Sequence, residues 1–407
     1  MEPVMESSYP EVSPPAVQEI APPYAPSTGL LWIGAGVLGG GVLVSLWIGL
    51  AALAAMFQLP APPPGLLALG LLIGGGLFWE GMRIARGEPD RPFPGAEARA
   101  LGRTMVLLVI LIGSGAIAEA LAPQLPLLIA PYHIGVAMLG PFMWFNFLRW
   151  RLQAPWTHRA SWWGLGLGGF LVPALALFLE GIVVVMLALT LLLGRVLLEG
   201  PGFLNMWFPQ GFSPEEISTL RVERLMADPW LWIGILIGAV VLIPAIEEAL
   251  KPLPAVLRMR DPMASRVSLI LWGAIGGAGF ALAENLLSWQ PGIPWALTAV
   301  GRLGASALHI WNGGLMGWAW SCIRRGRFLE GIGAYLFAWL IHGLWNAGAI
   351  ALSGAFIAPL SAEARALTLL PALIGMGIAL FLVIGGLGWA LPMLGKVEAA
   401  RHAPSEG

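Results

Sequence analysis

Runs of about 20 apolar residues recur along almost the whole chain, and a run of that length is what an α-helix needs to cross a bilayer. Ten segments qualify or come close: 30–57, 65–82, 104–122, 126–148, 161–199, 229–250, 267–288, 295–321, 329–353 and 366–393. Inside lipid every backbone amide and carbonyl needs a partner within the protein, so such segments fold as helices. The pattern predicts an all-α, polytopic transmembrane helical bundle of about ten spans, with the lipid bilayer as its solvent. Composition agrees. Of 407 residues 57% are hydrophobic before glycine is counted, and 11% are charged, against roughly 25% in soluble domains. A soluble globular enzyme is excluded.

The single cysteine, Cys322, cannot form an internal disulfide. A net charge of -1 gives no basic footprint for nucleic acid, which is not expected as a partner. The basic residues are clustered: Arg83, Arg86, Arg91, Arg99 and Arg103; Arg149, Arg151 and Arg159; Arg258, Arg260 and Arg266; Arg324, Arg325 and Arg327; Lys396 and Arg401. The stretch 161–199 is interrupted by Pro173 and Glu180. If it crosses once, every cluster falls on one side, as the positive-inside rule requires, and both termini are cytoplasmic. If it crosses twice, the pattern breaks.

Five regions follow. Residues 1–28, with seven prolines, Glu2, Glu6, Glu11 and Glu19 and no basic residue, read as a disordered Pro-rich acidic tail. They lack the basic start of a signal peptide. Residues 29–200 hold the N-terminal transmembrane helices, and 201–228 form the largest extracytoplasmic loop. That loop contains a capped-helix signal at Ser213-Pro214-Glu215-Glu216. Residues 229–353 are a transmembrane core rich in polar groups, and 354–407 carry the last transmembrane helix and a short cytoplasmic tail.

Each ionisable residue within a span costs roughly 2.5–3.5 kcal/mol on insertion scales and is a candidate functional group by default. The first half offers Glu80, Glu119 and Glu180. In the second half four successive spans carry at least two polar groups each: Glu247, Glu248 and Lys251; Glu284 and Asn285; Arg302, His309 and Asn312; His342 and Asn346. Glu247 and Lys251 are i, i+4 and pair on one helix face, while Glu248 sits about 100° round the helix. His309, Gly313 and Gly317 line up as a small-residue face that admits a close neighbour.

This set suits peptide hydrolysis inside a membrane. Glu247 or Glu248 takes a proton from water, and His309, His342 and Asn346 stabilise the oxyanion or bind a metal. A glutamate-only mechanism and a zinc mechanism both stand; in the second, His309, His342 and Glu284 are the candidate ligands. Lys251, Glu284 and Arg302 are supporting residues, Arg302 neutralising Glu284. A non-catalytic membrane scaffold or a proton-coupled transporter uses the same residue types, but strings them across the membrane instead of gathering them round one pocket. Depth poses a puzzle. Counting from Arg266 puts Glu284 near the outer end of its span, whereas Glu247 lies near the inner end of 229–250. Either a helix is broken or tilted, with Pro244 and Gly276-Gly277 as weak points, or Glu284 lies outside the immediate cluster.

In order and spacing these residues resemble the PrsW family of membrane-embedded proteases, related to the CAAX prenyl protease and bacteriocin-processing superfamily. The E-E-x-x-K pattern is Glu247-Glu248-Ala249-Leu250-Lys251, F-x-x-x-E runs from Phe280 to Glu284, His309 lies on the next helix, and H-x-x-x-N runs from His342 to Asn346. The resemblance covers roughly 229–353 and makes that region the catalytic core. It implies an intramembrane endopeptidase of the bacterial cell membrane acting on a membrane-protein substrate. The family's founding activity is the first cleavage of a membrane-anchored anti-sigma factor.

Overall fold

Among the residues described by the computed structural model (26–56, 64–122, 126–200, 228–288, 294–357 and 361–395), every regular element is a helix. One isolated antiparallel bridge joins Pro92 and Thr157. Residues 1–25 of the expected tail lie outside the described residues, as do 201–227 with the Ser213 signal, and Lys396 and Arg401.

Helices α1 (Pro26–Met56), α2 (Gly65–Ala85), α3 (Ala98–Leu121) and α4 (Pro126–Leu152) precede α5 (His158–Gly166). That helix passes through a π-helical turn (Leu167–Leu171) directly into α6 (Val172–Glu199). The second half starts with α7 (Pro229–Leu236), a π turn (Ile237–Leu242), α8 (Ile243–Leu250) and the short α9 (Leu253–Arg258). Then come α10 (Arg266–Leu287), α11 (Trp295–Ile323), α12 (Phe328–Ile357) and α13 (Ala362–Gly385), the last ending in a third π turn (Gly386–Ala390).

Nine helices among the described residues are long and apolar enough to cross a membrane. The tenth expected span, α11, is less apolar because it carries Arg302, His309 and Asn312. Its 29 residues reach about 44 Å at 1.5 Å per residue. The ambiguous stretch is one continuous helical span of 42 residues, His158–Glu199. Pro173 does not break it. Proline lacks an N–H and crowds the carbonyl four residues back, and the helix accommodates this by widening into the π turn that ends at Leu171. The same relation holds at Pro244 after the turn ending at Leu242, and at Pro392 after the turn ending at Ala390.

The centre of the bundle is α10, buried at every position from Leu269 to Leu286 except Glu284. It lies antiparallel to α11 with backbone touching backbone. A Cβ added to Gly273 would stand 2.0 Å from the Gly313 carbonyl oxygen, one on Gly277 2.1 Å from that of His309, and one on Gly317 2.1 Å from that of Leu269. On its other side α10 meets the first π turn, where a Cβ on Gly168 would lie 2.3 Å from the Gly276 carbonyl oxygen. Small residues thus bring three helices to backbone contact, as membrane helix packing favours. Around this centre α1, α6 and α13 present exposed apolar faces, including Leu38, Phe178, Met186 and Phe381, suited to lipid.

The arginine-bearing loops gather at one end. Arg149 donates to the Phe93 and Pro94 carbonyls, Arg324 to those of Asp261 and Ala264, and Arg266 to that of Leu394. At the same end Glu80, buried on α2, accepts from Arg83 and from Arg159 of α5 at 3.0–3.2 Å. Nearby, Trp32 of α1 stacks on Trp163 of α5 with ring centroids 5.3 Å apart. Helices α1 and α2 are therefore joined to α5 by a buried ion-pair network and an aromatic stack.

Gly277→Ala is expected to lower stability by about 1–3 kcal/mol through overpacking against α11, read as a lower melting temperature in detergent. Gly301→Ala on α11, where an added Cβ meets open space, is expected to be neutral or slightly stabilising.

Candidate active site

The depth puzzle resolves through α9. The span that begins at Pro229 continues to Arg258, beyond the 250 read from hydropathy, with a bend at Pro252, which has no N–H to continue the ladder. The Lys251 carbonyl packs on Gly276, ten residues into α10 and so about 15 Å from that helix's start. Neither Gly276 nor Gly277 breaks α10, which runs unbroken from Arg266 to Leu287. Glu247, Glu248 and Lys251 therefore lie deep in the bundle, all buried.

Lys251 is completely buried, and its ammonium organises the site. Its Nζ donates to Glu248 Oε1 at 2.7 Å and lies 2.9 Å from Glu247 Oε2. The latter contact is an ion pair off the axis of a hydrogen bond. The ammonium also sits 4.6 Å from the centroid of the Phe280 ring, a cation–π contact. Phe280 in turn lies 5.3 Å from the His309 ring, and His309 stands edge-on to His342 at 5.2 Å.

Each histidine is gripped by a carboxylate. His342 Nδ1 donates to Glu248 Oε1 at 2.6 Å, leaving Nε2 as the acceptor nitrogen, 3.7 Å from Glu247 Oε2. His309 Nε2 donates to Glu284 Oε2 at 2.7 Å, leaving a buried Nδ1 without a hydrogen-bond partner. A carboxylate on one ring nitrogen fixes the tautomer and aims the other, as in metal sites. Glu284 is itself held: Arg302 reaches it at 2.8 Å and donates from Nε to Asn285 Oδ1 at 2.8 Å, while Asn285 Nδ2 donates to Ser306 Oγ at 2.9 Å.

Glu247, Glu248, His309 and His342 each offer one ligand atom, and these atoms lie within 4.8 Å of one another. Tetrahedral bonds of about 2.0–2.2 Å place ligand atoms roughly 3.5 Å apart, so the group needs only a small contraction to hold a metal ion. Buried oxygens without hydrogen bonds on Glu247 and Glu248, and the open His309 nitrogen, supply donors. Three carboxylates (Glu247, Glu248, Glu284) against two cations (Lys251, Arg302) leave a net negative charge, which favours a cation. The residues fit the metal.

The structure thus brings Glu247, Glu248, Lys251, His309 and His342 into one cluster and sets Glu284 and Arg302 behind His309. Asn346 is directed elsewhere, donating from Nδ2 to the Ala239 carbonyl at 2.9 Å. Two residues absent from the sequence reading join it: Trp339 Nε1 donates to the Val241 carbonyl at 2.7 Å and the Tyr335 hydroxyl to that of Ala245 at 2.9 Å. Their signal was positional, three and seven residues before His342 and so on its face of the helix.

A buried Glu/His cluster inside a helical membrane bundle is the kind of site a membrane-embedded hydrolase needs. A family model described as PrsW family intramembrane metalloprotease matches residues 155–376, more than half of the chain. The chain belongs to this family: it is an integral membrane peptide hydrolase, working in the lipid bilayer on a membrane-protein substrate. The match starts upstream of the motifs and takes in α5 and α6. Comparison with curated proteins and with solved structures gives no match.

Removing one partner of a buried charge set leaves the others uncompensated. Lys251→Met is expected to destabilise the protein by about 3–5 kcal/mol, measured as loss of folded protein and of melting temperature in detergent.

Proposed function

We propose that the chain is an endopeptidase that cuts membrane-anchored proteins where Glu247, His309 and His342 meet. The observation that carries this reading is their convergence with Glu248 at one depth. A proton relay or transporter needs such groups spread along the membrane normal. Glu247 is the carboxylate assigned to the reacting water: its Oε2 makes no hydrogen bond, and its side chain is 9% exposed where that of Glu248 is sealed at 0%. It takes the proton from water as general base. Glu248 holds His342, and Glu284, fixed by Arg302, holds His309. Once protonated on its free nitrogen as well, each imidazole presents a second N–H to a developing oxyanion.

The same open oxygen of Glu247, with the nitrogens of His309 and His342 not engaged by carboxylates, would hold a divalent ion such as zinc. Glu248 Oε2, also without a hydrogen bond, is a further donor for that set, while its Oε1 is engaged by Lys251 and His342 Nδ1. When bound, the ion supplies Lewis acidity for a carbonyl or a water. Glu284, behind His309, then serves as an outer partner and not as a ligand.

The substrate class follows the family: a membrane-anchored regulatory protein such as an anti-sigma factor. The clustering of arginine loops at one end supports a topology with that end and both termini in the cytoplasm of a bacterial cell.

The test is co-expression of the full chain with a library of tagged single-span membrane proteins, comparing wild type with Glu247→Gln and His342→Ala. Loss of a general base is expected to cut fragment formation by about 10²–10⁴-fold. Identical fragments from wild type and both variants would overturn the assignment. Metal analysis of the purified protein is expected to show a bound divalent ion, depleted by chelator and in His309→Ala. Full activity without metal would sink the metal set and leave Glu247 as general base.

A further inference from the structure

Helix α8 carries the two carboxylates, and the π turn before it sets which way they point. In that turn the Ile243 N–H bonds to the Gly238 carbonyl, five residues back. The next residue in the same register is Pro244, which has no N–H, so the carbonyl five back from it, Ala239, loses its intrahelical partner. That carbonyl is the one Asn346 Nδ2 reaches at 2.9 Å. We propose that Asn346 is a positioning residue whose side-chain amide supplies the hydrogen bond Pro244 cannot make, locking the widened turn that aims Glu247 and Glu248 at the histidines. This deepens the protease reading and rests on it for the identity of the aimed groups.

Three further observations support the role. A π turn holds one residue more than an α turn, so closing it would rotate everything downstream by about 100° and swing both carboxylates off His342. The bond is one rung of a ladder from a single face of α12: Tyr335 to the Ala245 carbonyl, Trp339 to that of Val241 and Asn346 to that of Ala239. Between the last two, Gly343 lets the helices touch, since an added Cβ would stand 2.5 Å from the Val240 carbonyl oxygen. His342 lies within this ladder, so the face that holds the turn open also delivers the imidazole.

The test is a double-mutant cycle on the full chain in detergent with Asn346→Ala, Pro244→Ala and the pair. Alanine at 244 restores a backbone N–H that can serve Ala239 from within the helix. Asn346→Ala alone is expected to lower cleavage and cobalt(II) uptake about tenfold, as loss of an outer-shell partner does. Measured against Pro244→Ala alone, adding Asn346→Ala is expected to change either by less than about threefold, and the same coupling is expected in melting temperature. If Asn346→Ala is as damaging in both backgrounds, Asn346 acts on substrate or ion directly and the proposal falls. It falls equally if Asn346→Ala has no effect with Pro244 in place. If wild type neither cleaves nor takes up cobalt, the metalloprotease reading fails, and the cycle is decided on melting temperature. Coupling there sustains the Asn346–Pro244 relation, and additivity overturns it.

Discussion

An ammonium with no exposed surface survives at the centre of a membrane protein only if carboxylates surround it, and the site is arranged round that demand. Stripping water from a lone charge costs several kcal/mol even after relaxation. Lys251 recovers this from Glu247 and Glu248 on its own helix and from the face of Phe280 on α10. Glu248 then has an oxygen that also accepts from His342 on α12, and Phe280 flanks His309 on α11. Four segments of the bundle are thus registered against one another by a single positive charge. The chemistry proposed for Glu247 depends on the same charge, which keeps a carboxylate pair stable away from water.

Much of this was legible in the sequence, and the reason is physical. Lipid leaves a chain few alternatives to helix, so long apolar runs define the spans, and the rare polar residues inside them mark the site. Arg302 meets Glu284, the partner that charge balance assigned to it. Depth was less legible, because a lysine at the end of an apolar run looks interfacial whether or not the chain continues inward. Only the bend at Pro252 and the apolar α9 show that Lys251 lies deep. Angular phase was least legible. Proline marks the three π turns, yet Pro131, Pro141 and Pro371 lie inside helices without one. Whether a proline widens a helix depends on its neighbours, and at Pro244 the neighbour is another helix more than 90 residues further along the chain.

Tight packing explains why the metal-capable nitrogens stand so close. Antiparallel α10 and α11 meet at glycines on both sides, so His309, on the same helix as Gly313 and Gly317, is carried right up to α10 and to Glu284. The imidazole then bridges the interval between the carboxylates of α8 and that of α10. A glutamate whose backbone lies too far along its helix to join the cluster still acts on it through the ring.

The contact between Glu80 and Arg159 has a consequence for what counts as a unit in this protein. Arg159 falls within the segment that matches the family, whereas Glu80 lies 75 residues before that segment begins. A fragment cut at residue 155 would take the Glu80 carboxylate away from Arg159 and the Trp32 face away from Trp163. The boundary of recognisable ancestry and the boundary of cooperative folding therefore fall in different places, and α1 and α2, ahead of the family segment, belong to the latter.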